Sequence, residues 1–209
     1  MVVALTPETI RLLGETLCLD YANSVSWSPE DEPFEPAKPV KWVRTTEQTD
    51  VLRTGDMLVR WGRRLGLLSE DAKPATEAEL RRARALRDAL HRLFASISHN
   101  QNPSTKDITL LMHNYTEAVN QATLLASEVC FQLDWPARDP RRVRYAVATD
   151  AIGLLRDPKR LRRVSHCPGR GCGWLFLNMS GRRRWCSMST CGSREKMRRL
   201  HRRLTQHTD

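Results

Sequence analysis

The chain has 209 residues, 40% of them hydrophobic, enough for one ordinary core or a core with a small satellite domain. It contains no apolar run of ~18 residues, and its start, MVVALTPETIRLLGE, lacks the basic opening and apolar middle of a secretory signal, so a cytoplasmic protein is expected and a membrane-spanning one is not. The formal net charge is +10, unevenly placed: residues 156–209 hold fifteen Lys or Arg against three Asp or Glu, and residues 1–155 hold nineteen against twenty-one. A basic C-terminal quarter on a near-neutral body points to a module that meets a polyanion, nucleic acid first among them.

In chain order, GETLCLDYANSV reads as a helix or strand end followed by a turn. Within it, Asp20 and Asn23 are polar groups beside apolar ones, suited to a turn or helix cap or else to lining a small-ligand pocket. The next stretch, SWSPEDEPFEPAKPV, has four prolines, which remove backbone donors, so a loop is predicted. From Thr46 to Leu68 the apolar residues Val51, Leu52, Met57, Leu58, Trp61 and Leu65 recur at helical spacing, with Gly66 as a stop. Thr76 and Glu79 then form a capping-box pattern ahead of Leu80, Ala83, Leu86, Leu90, Leu93, Phe94 and Ile97. Residues 105–127 repeat apolar positions every three or four and read as another helix. EVCFQLDWP suggests a short strand or hairpin arm, and DPRRVRYAVATDAIGLLRDP a helix bounded by prolines. The fold expected is mainly α, with about five helices in the body.

Six cysteines in a reducing compartment do not read as a disulfide framework. Cys18 and Cys130 stand alone in apolar contexts and read as buried, inert thiols. The other four, Cys167, Cys172, Cys186 and Cys191, are arranged C-x4-C-x13-C-x4-C. Two short loops giving two thiolates each close a tetrahedral zinc shell, so one structural zinc ion is predicted, with no open position for catalysis. His166 adjoins the first cysteine, but four thiolates suffice and a surface histidine is expected there. Gly169, Gly171 and Gly173 permit a tight knuckle, Trp174 to Leu177 reads as a strand, Ser180-Gly181 marks a reversal and RRRWC a second arm. After Cys191, GSREKMRRLHRRL has helical spacing. Knuckle, hairpin and helix make a treble-clef-like layout, and Trp174, Phe176 and Trp185 are assigned to the core of this module rather than to stacking on bases.

The motifs CGWLF, RRRWCSM and STCGSREK, with the four cysteines, make the C-terminal region resemble the CGNR zinc finger, a bacterial module. Ser193 stands where the pattern of that family has asparagine. Upstream, LCLDYANSV, LRRARALRDALHRLF and AIGLLRDPKRLRRV resemble the ABATE domain that commonly precedes this finger. The resemblance implies a stress-induced transcription regulator. Its helical ABATE-like domain, residues 1–160, would sense a small-molecule effector or form a homodimer, and its zinc-dependent finger, residues 161–209, would bind DNA.

The residues support that direction independently. Arg182, Arg183 and Arg184 enter the second cysteine pair, while Arg194, Lys196, Arg198, Arg199, Arg202 and Arg203 ride the terminal helix. Arg194, Arg198 and Arg202 share one helix face, and Arg199 and Arg203 the next. Guanidinium groups pair with phosphates and guanine edges, and a helix fits the major groove. No nucleophile–base pair, phosphate-binding glycine loop or paired carboxylates are recognisable, so no enzyme is predicted. The competing function is a zinc-stabilised adaptor that binds protein or RNA without sequence-specific DNA recognition.

Overall fold

A computed structural model describes residues 5–29, 42–45, 49–126 and 128–206. In chain order these form α1 (Leu17–Ala22), β1 (Trp27–Pro29), β2 (Trp42–Arg44), α2 (Gly55–Arg64), α3 (Glu77–Ser98), α4 (Thr105–Gln121), β3 (Thr123–Ala126), β4 (Phe131–Asp134), α5 (Arg141–Arg156), α6 (Pro158–Leu161), β5 (Val164–His166), β6 (Leu175–Leu177) and α7 (Ser193–Gln206). The strands make three antiparallel pairs, β1 with β2, β3 with β4 and β5 with β6. The fold is mainly α, as the apolar periodicity predicts.

Caps set the helix starts. Thr54, Thr76 and Ser104 each accept a backbone N–H from the first turn of α2, α3 and α4. The partner expected of a capping box, Glu79, does not reach back to Thr76; it turns inward to an arginine described below. Pro140 precedes α5, and Asp157 caps the single turn α6 with Pro158 at its first position.

Helices α3, α4 and α5 pack on one another and α1 crosses α3 and α5. Leu80, Ala83, Leu86, Leu90, Leu93 and Phe94 of α3 meet Val143, Val147, Ala148, Ala151 and Leu154 of α5, with Leu19 and Tyr21 of α1 and Trp61 of α2 closing the same core. Each large side chain fully buried here contributes about 1.5–3 kcal/mol. Val164, Leu175 and Leu177 of the β5–β6 hairpin belong to this core too, so the cysteine-bearing segment is built onto the helices.

Several expected elements differ. Of the helix predicted over 46–68, residues 46–48 lie outside the described residues and the helix starts at Gly55: the Asp50 carboxylate accepts the Leu52 N–H at 2.8 Å, and Val51 N–H bonds to Ser24, which holds residues 50–52 as an irregular buried segment. The helix predicted over 105–127 ends at Gln121, because Thr123–Ala126 is the antiparallel partner that Phe131–Asp134 requires. Trp27–Pro29, placed in a loop by its proline content, pairs with Trp42–Arg44; residues 30–40 of that loop lie outside the described residues. Cys18 is fully buried and burial pushes its thiol well up, whereas Cys130, near the tip of the β3–β4 hairpin, is exposed rather than buried.

Two arginines lie in the interior. Arg87 makes a bidentate pair with Asp50 (2.6 and 3.0 Å) and bonds Asp88 (3.0 Å). Arg144 engages Glu79 of α3 (2.8 and 3.1 Å), Asn114 (2.7 Å) and Glu117 of α4 (2.8 and 3.1 Å), so one guanidinium ties three helices. Replacing Arg144 by Met leaves the buried Glu79 without its cation and Glu117 with only the more distant Arg82 (3.8 Å), and should cost about 3–5 kcal/mol in urea unfolding; a loss below about 1 kcal/mol would place the network with weak surface pairs. The Arg144 hydrogen bond holds the Glu117 carboxyl down at about 2 against an ordinary 4.5. Its contribution is therefore present above about pH 4.5 and lost as the pH falls toward 2, a decline that Glu117→Gln should flatten.

Candidate metal centre and basic surface

The hairpin and the chain that follows it deliver four sulfurs to one point. Cys167 leaves β5 with its N–H donating to the Trp174 carbonyl (2.9 Å), and Cys172 N–H closes the knuckle on the Gly169 carbonyl (2.8 Å). Gly171 has φ +65°, and a Cβ on Gly169 would lie 2.9 Å from the Cys191 sulfur, so both positions require glycine. The chain reverses at Gly181 (φ +69°) and returns through Cys186. The returning RRRWC segment is not a strand: β6 takes the upstream Val164–His166 as its partner instead. Cys191 sits in a wide, π-type helical turn, Met188–Gly192, that leads directly into α7, which puts the last ligand at a helix start.

The four Sγ atoms all lie within 4.8 Å of one another. Cys172 and Cys186 sulfurs are 3.8 Å apart, and those of Cys186 and Cys191 3.6 Å. A tetrahedron with arms of about 2.3 Å has edges of about 3.8 Å, the geometry of zinc in a tetrathiolate cage. The Cys186 N–H donates to the Cys167 sulfur at 3.3 Å, as suits a thiolate. Hydrogen bonds from the Cys172 and Cys186 thiols pull the Cys167 thiol far down, and the Cys172 thiol is driven up by sharing its proton with Cys167, Cys186 and Cys191. Four sulfurs so close ionise together only around a cation. Phe176 is buried among them, with Trp174 and Trp185 packed alongside, so these aromatics form the core of the module.

This centre is fastened to the helical body along a buried seam. The Asn23 amide donates to the Leu175 carbonyl at 2.8 Å and accepts the Leu175 N–H at 2.9 Å, acting as a strand partner for β6. His91 lies stacked on Trp27 (ring centroids 4.1 Å apart), and burial takes its pKa down to about 3, so the ring is neutral and Nε2–H donates to the Gly173 carbonyl at 2.7 Å. A Cβ on Gly173 would come 2.3 Å from that of Trp27. Leu177 N–H bonds to Gly14, and Asp20 accepts the Gly14 N–H at 2.7 Å, its own carboxyl raised to about 6 by burial. Asp20 and Asn23 are thus engaged with backbone. His166, expected at the surface, is half-buried against His99 (5.3 Å between centroids).

The arginines divide. Arg182 and Arg184 are exposed, while Arg183 turns inward: it covers the Phe176 ring at 4.3 Å, donates to the Leu13 (2.8 Å), Trp185 (3.2 Å) and Cys186 (2.7 Å) carbonyls, and pairs with Glu15. No sequence signal separates it from its two neighbours. Arg11, which no motif marks, donates to Ser187 (3.0 Å) and Ser189 (3.1 Å) from the N-terminal arm. Arg194, Lys196, Arg199, Arg202 and Arg203 of α7 are exposed and Arg198 is half-buried. A cleft of about 300 Å³ opens between arm and finger, walled by Arg11, Trp27, Trp174, Thr190 and Arg194; Asp20 and Asn23 do not line it.

Compared with known families, residues 15–158 match ABATE, whose description reads "Putative stress-induced transcription regulator", and residues 163–204 match the CGNR zinc finger. The chain belongs to the ABATE family. No curated protein matches it significantly. Both families are regulator and zinc-finger types rather than enzyme families. In this ABATE protein the finger match and the sulfur geometry agree on a site for one zinc ion held by Cys167, Cys172, Cys186 and Cys191. Ser193, at the position of the family asparagine, donates through Oγ to the Met188 carbonyl at 2.9 Å and so ties the helical turn that carries Cys191. No helix among the described residues is long and apolar enough to cross a membrane.

Elemental analysis of the purified ABATE protein should give one zinc per chain, and Cys186→Ser should abolish it. Gly169→Ala keeps every sulfur but crowds Cys191, and should weaken zinc about tenfold or more in competition with a chromophoric chelator; unchanged affinity would show that the knuckle does not need its close approach.

Proposed function

We propose that the protein is a DNA-binding transcription regulator of the cytoplasm in which the zinc-held finger and α7 contact DNA. In this reading residues 161–209 are the DNA-binding unit, and residues 1–160 sense an effector or pair with a second copy. Zinc, when bound, supplies no reaction; Cys167, Cys172, Cys186 and Cys191 would hold it to fix the start of α7.

The observation that carries the reading is the contrast between two populations of arginine. In the body the buried Arg87 and Arg144 face inward onto carboxylates, and exposed arginines such as Arg60, Arg138 and Arg141 are paired with carboxylates too. In the finger, Arg182, Arg184 and, on α7, Arg194, Lys196, Arg199, Arg202 and Arg203 are exposed on a small module with few acids. Exposed guanidinium groups gathered on a small module supply the counterion-releasing contacts that phosphate recognition uses. A zinc tetrathiolate carries a net charge of minus two, and Arg183 and Arg11, bonded beside it, lie where that charge is offset; this leaves the outer arginines for a partner.

Titration of duplex DNA at increasing salt tests the proposal. With about six phosphates neutralised, log K should fall against log salt with a slope of about −5, and chelation of the zinc should abolish tight binding. Binding that ignores the chelator, or a slope near zero, would contradict it. Weak binding that no duplex sequence improves would favour the adaptor role.

A further inference from the structure

Helix α7 carries charge on one side and an apolar stripe on the other, with both sides largely exposed. Its half-buried residues are Glu195 and Arg198, with side chains 20% and 39% exposed, while Arg199 and Arg202 on the same charged side are 55% and 67% exposed. Met197, Leu200 and Leu204 are 63%, 49% and 61% exposed. Spaced three and four apart, they form one apolar stripe directed to solvent. An exposed stripe of this kind on a helix otherwise rich in charge marks a contact surface.

The cations of α7 are not equivalent either. Glu195 pairs with Arg198 (3.2 Å), Arg199 (3.1 Å) and Arg202 (3.6 Å), which lie on the side opposite the stripe. Arg194 flanks the stripe on one side, and Lys196 and Arg203 on the other, each roughly a quarter-turn away. Among the described residues no ion pair engages these three. Opposite the arginines that share Glu195, α7 therefore also offers an apolar line between two cationic margins, which helical spacing of the arginines alone does not suggest.

From this arrangement, and resting on the DNA reading above, we infer that α7 enters the major groove stripe-first, with Met197, Leu200 and Leu204 on thymine methyl groups and Arg194, Lys196 and Arg203 on the two flanking phosphate rows. The groove is about 12 Å wide with phosphates along both edges, and the thymine 5-methyl is the apolar group on its floor. Cations on both margins of one helix complement both edges at once. A second copy of α7 would set like charges against each other along the same stripe, which disfavours a helix pair. The protein then selects thymine-bearing steps by methyl contact, and the arginines bonded to Glu195 add little to phosphate binding.

The test uses the full zinc-loaded chain and short A·T-rich duplexes, bound in parallel as thymine-containing DNA and as the same sequence with uracil, which lacks the methyl. The thymine duplex should bind at least about fivefold tighter. Combined Met197→Ser, Leu200→Ser and Leu204→Ser should erase that preference while leaving the salt slope intact. Combined Arg194→Ser, Lys196→Ser and Arg203→Ser should flatten the slope by about 2.7, whereas Arg198→Ser, Arg199→Ser and Arg202→Ser together should change it much less. Unchanged zinc content and helicity certify that each variant is folded, and all sites are on a solvent-facing helix. Equal binding of thymine and uracil duplexes, or an unaltered preference in the stripe variant, overturns the inference while the DNA reading stands. Failure of the wild-type chain to bind any duplex, with capture instead of a glutamate-rich amphipathic peptide through the stripe, overturns both in favour of a protein partner.

Discussion

The two hydrogen bonds between the Asn23 side chain and the Leu175 backbone set the relation of the metal module to the rest of the molecule. A three-residue strand such as β6 has only β5 beside it, and its other edge would be left with unpaired polar groups in an apolar core. The amide of Asn23 presents one donor and one acceptor at the spacing of a backbone partner, so it completes the edge from the end of α1. With that edge satisfied, Leu175 and Leu177 can be buried among the helices while Phe176 points to the other side, into the sulfur cluster. One strand thus belongs to two cores. His91, Trp27 and Gly173 extend the same seam, with a neutral imidazole as donor and a glycine wherever a Cβ would collide.

Charge follows a matching division. Buried arginines in the body are surrounded by carboxylates, joined for Arg144 by the Asn114 amide oxygen, which leaves them little freedom to act elsewhere. In the finger, acids are scarce: Arg183, with Arg11 of the N-terminal arm, braces the cysteine loops, and the other cations except the half-buried Arg198 are exposed. Glu195 introduces a second sorting within α7 itself by drawing three arginines to its own side. The surface that remains is less uniformly basic than the sequence suggests, and its apolar line becomes a determinant of what it fits.

Much of this is legible in the sequence. Periodicity placed α3 and its core residues because twenty-two residues of regular apolar spacing leave little choice, and the cysteine spacing located the metal centre because ligation needs only the right atoms at the right separation. Short elements were not legible. The strand at Thr123–Ala126 carries leucines and alanine, residues at home in a helix, and becomes a strand because Phe131–Asp134 needs a neighbour. Trp27–Pro29 hides behind a proline that an edge position tolerates. The partner of β6 was misplaced because RRRWC is nearer in sequence on the side of the second cysteine pair, whereas pairing with Val164–His166 is what buries Leu175 and Leu177. Roles such as those of Arg183 and Asn23 depend on contacts more than a hundred residues away in the chain, and no local pattern encodes them.

A strand shared between two cores makes the finger and the helical body a single cooperative unit, and unfolding of the full chain with and without zinc measures that most directly. The account predicts one transition, followed alike by helical signal and by tryptophan fluorescence, that moves as a whole to lower denaturant when zinc is chelated. Two separate transitions, with the helical one unmoved by chelation, would contradict it.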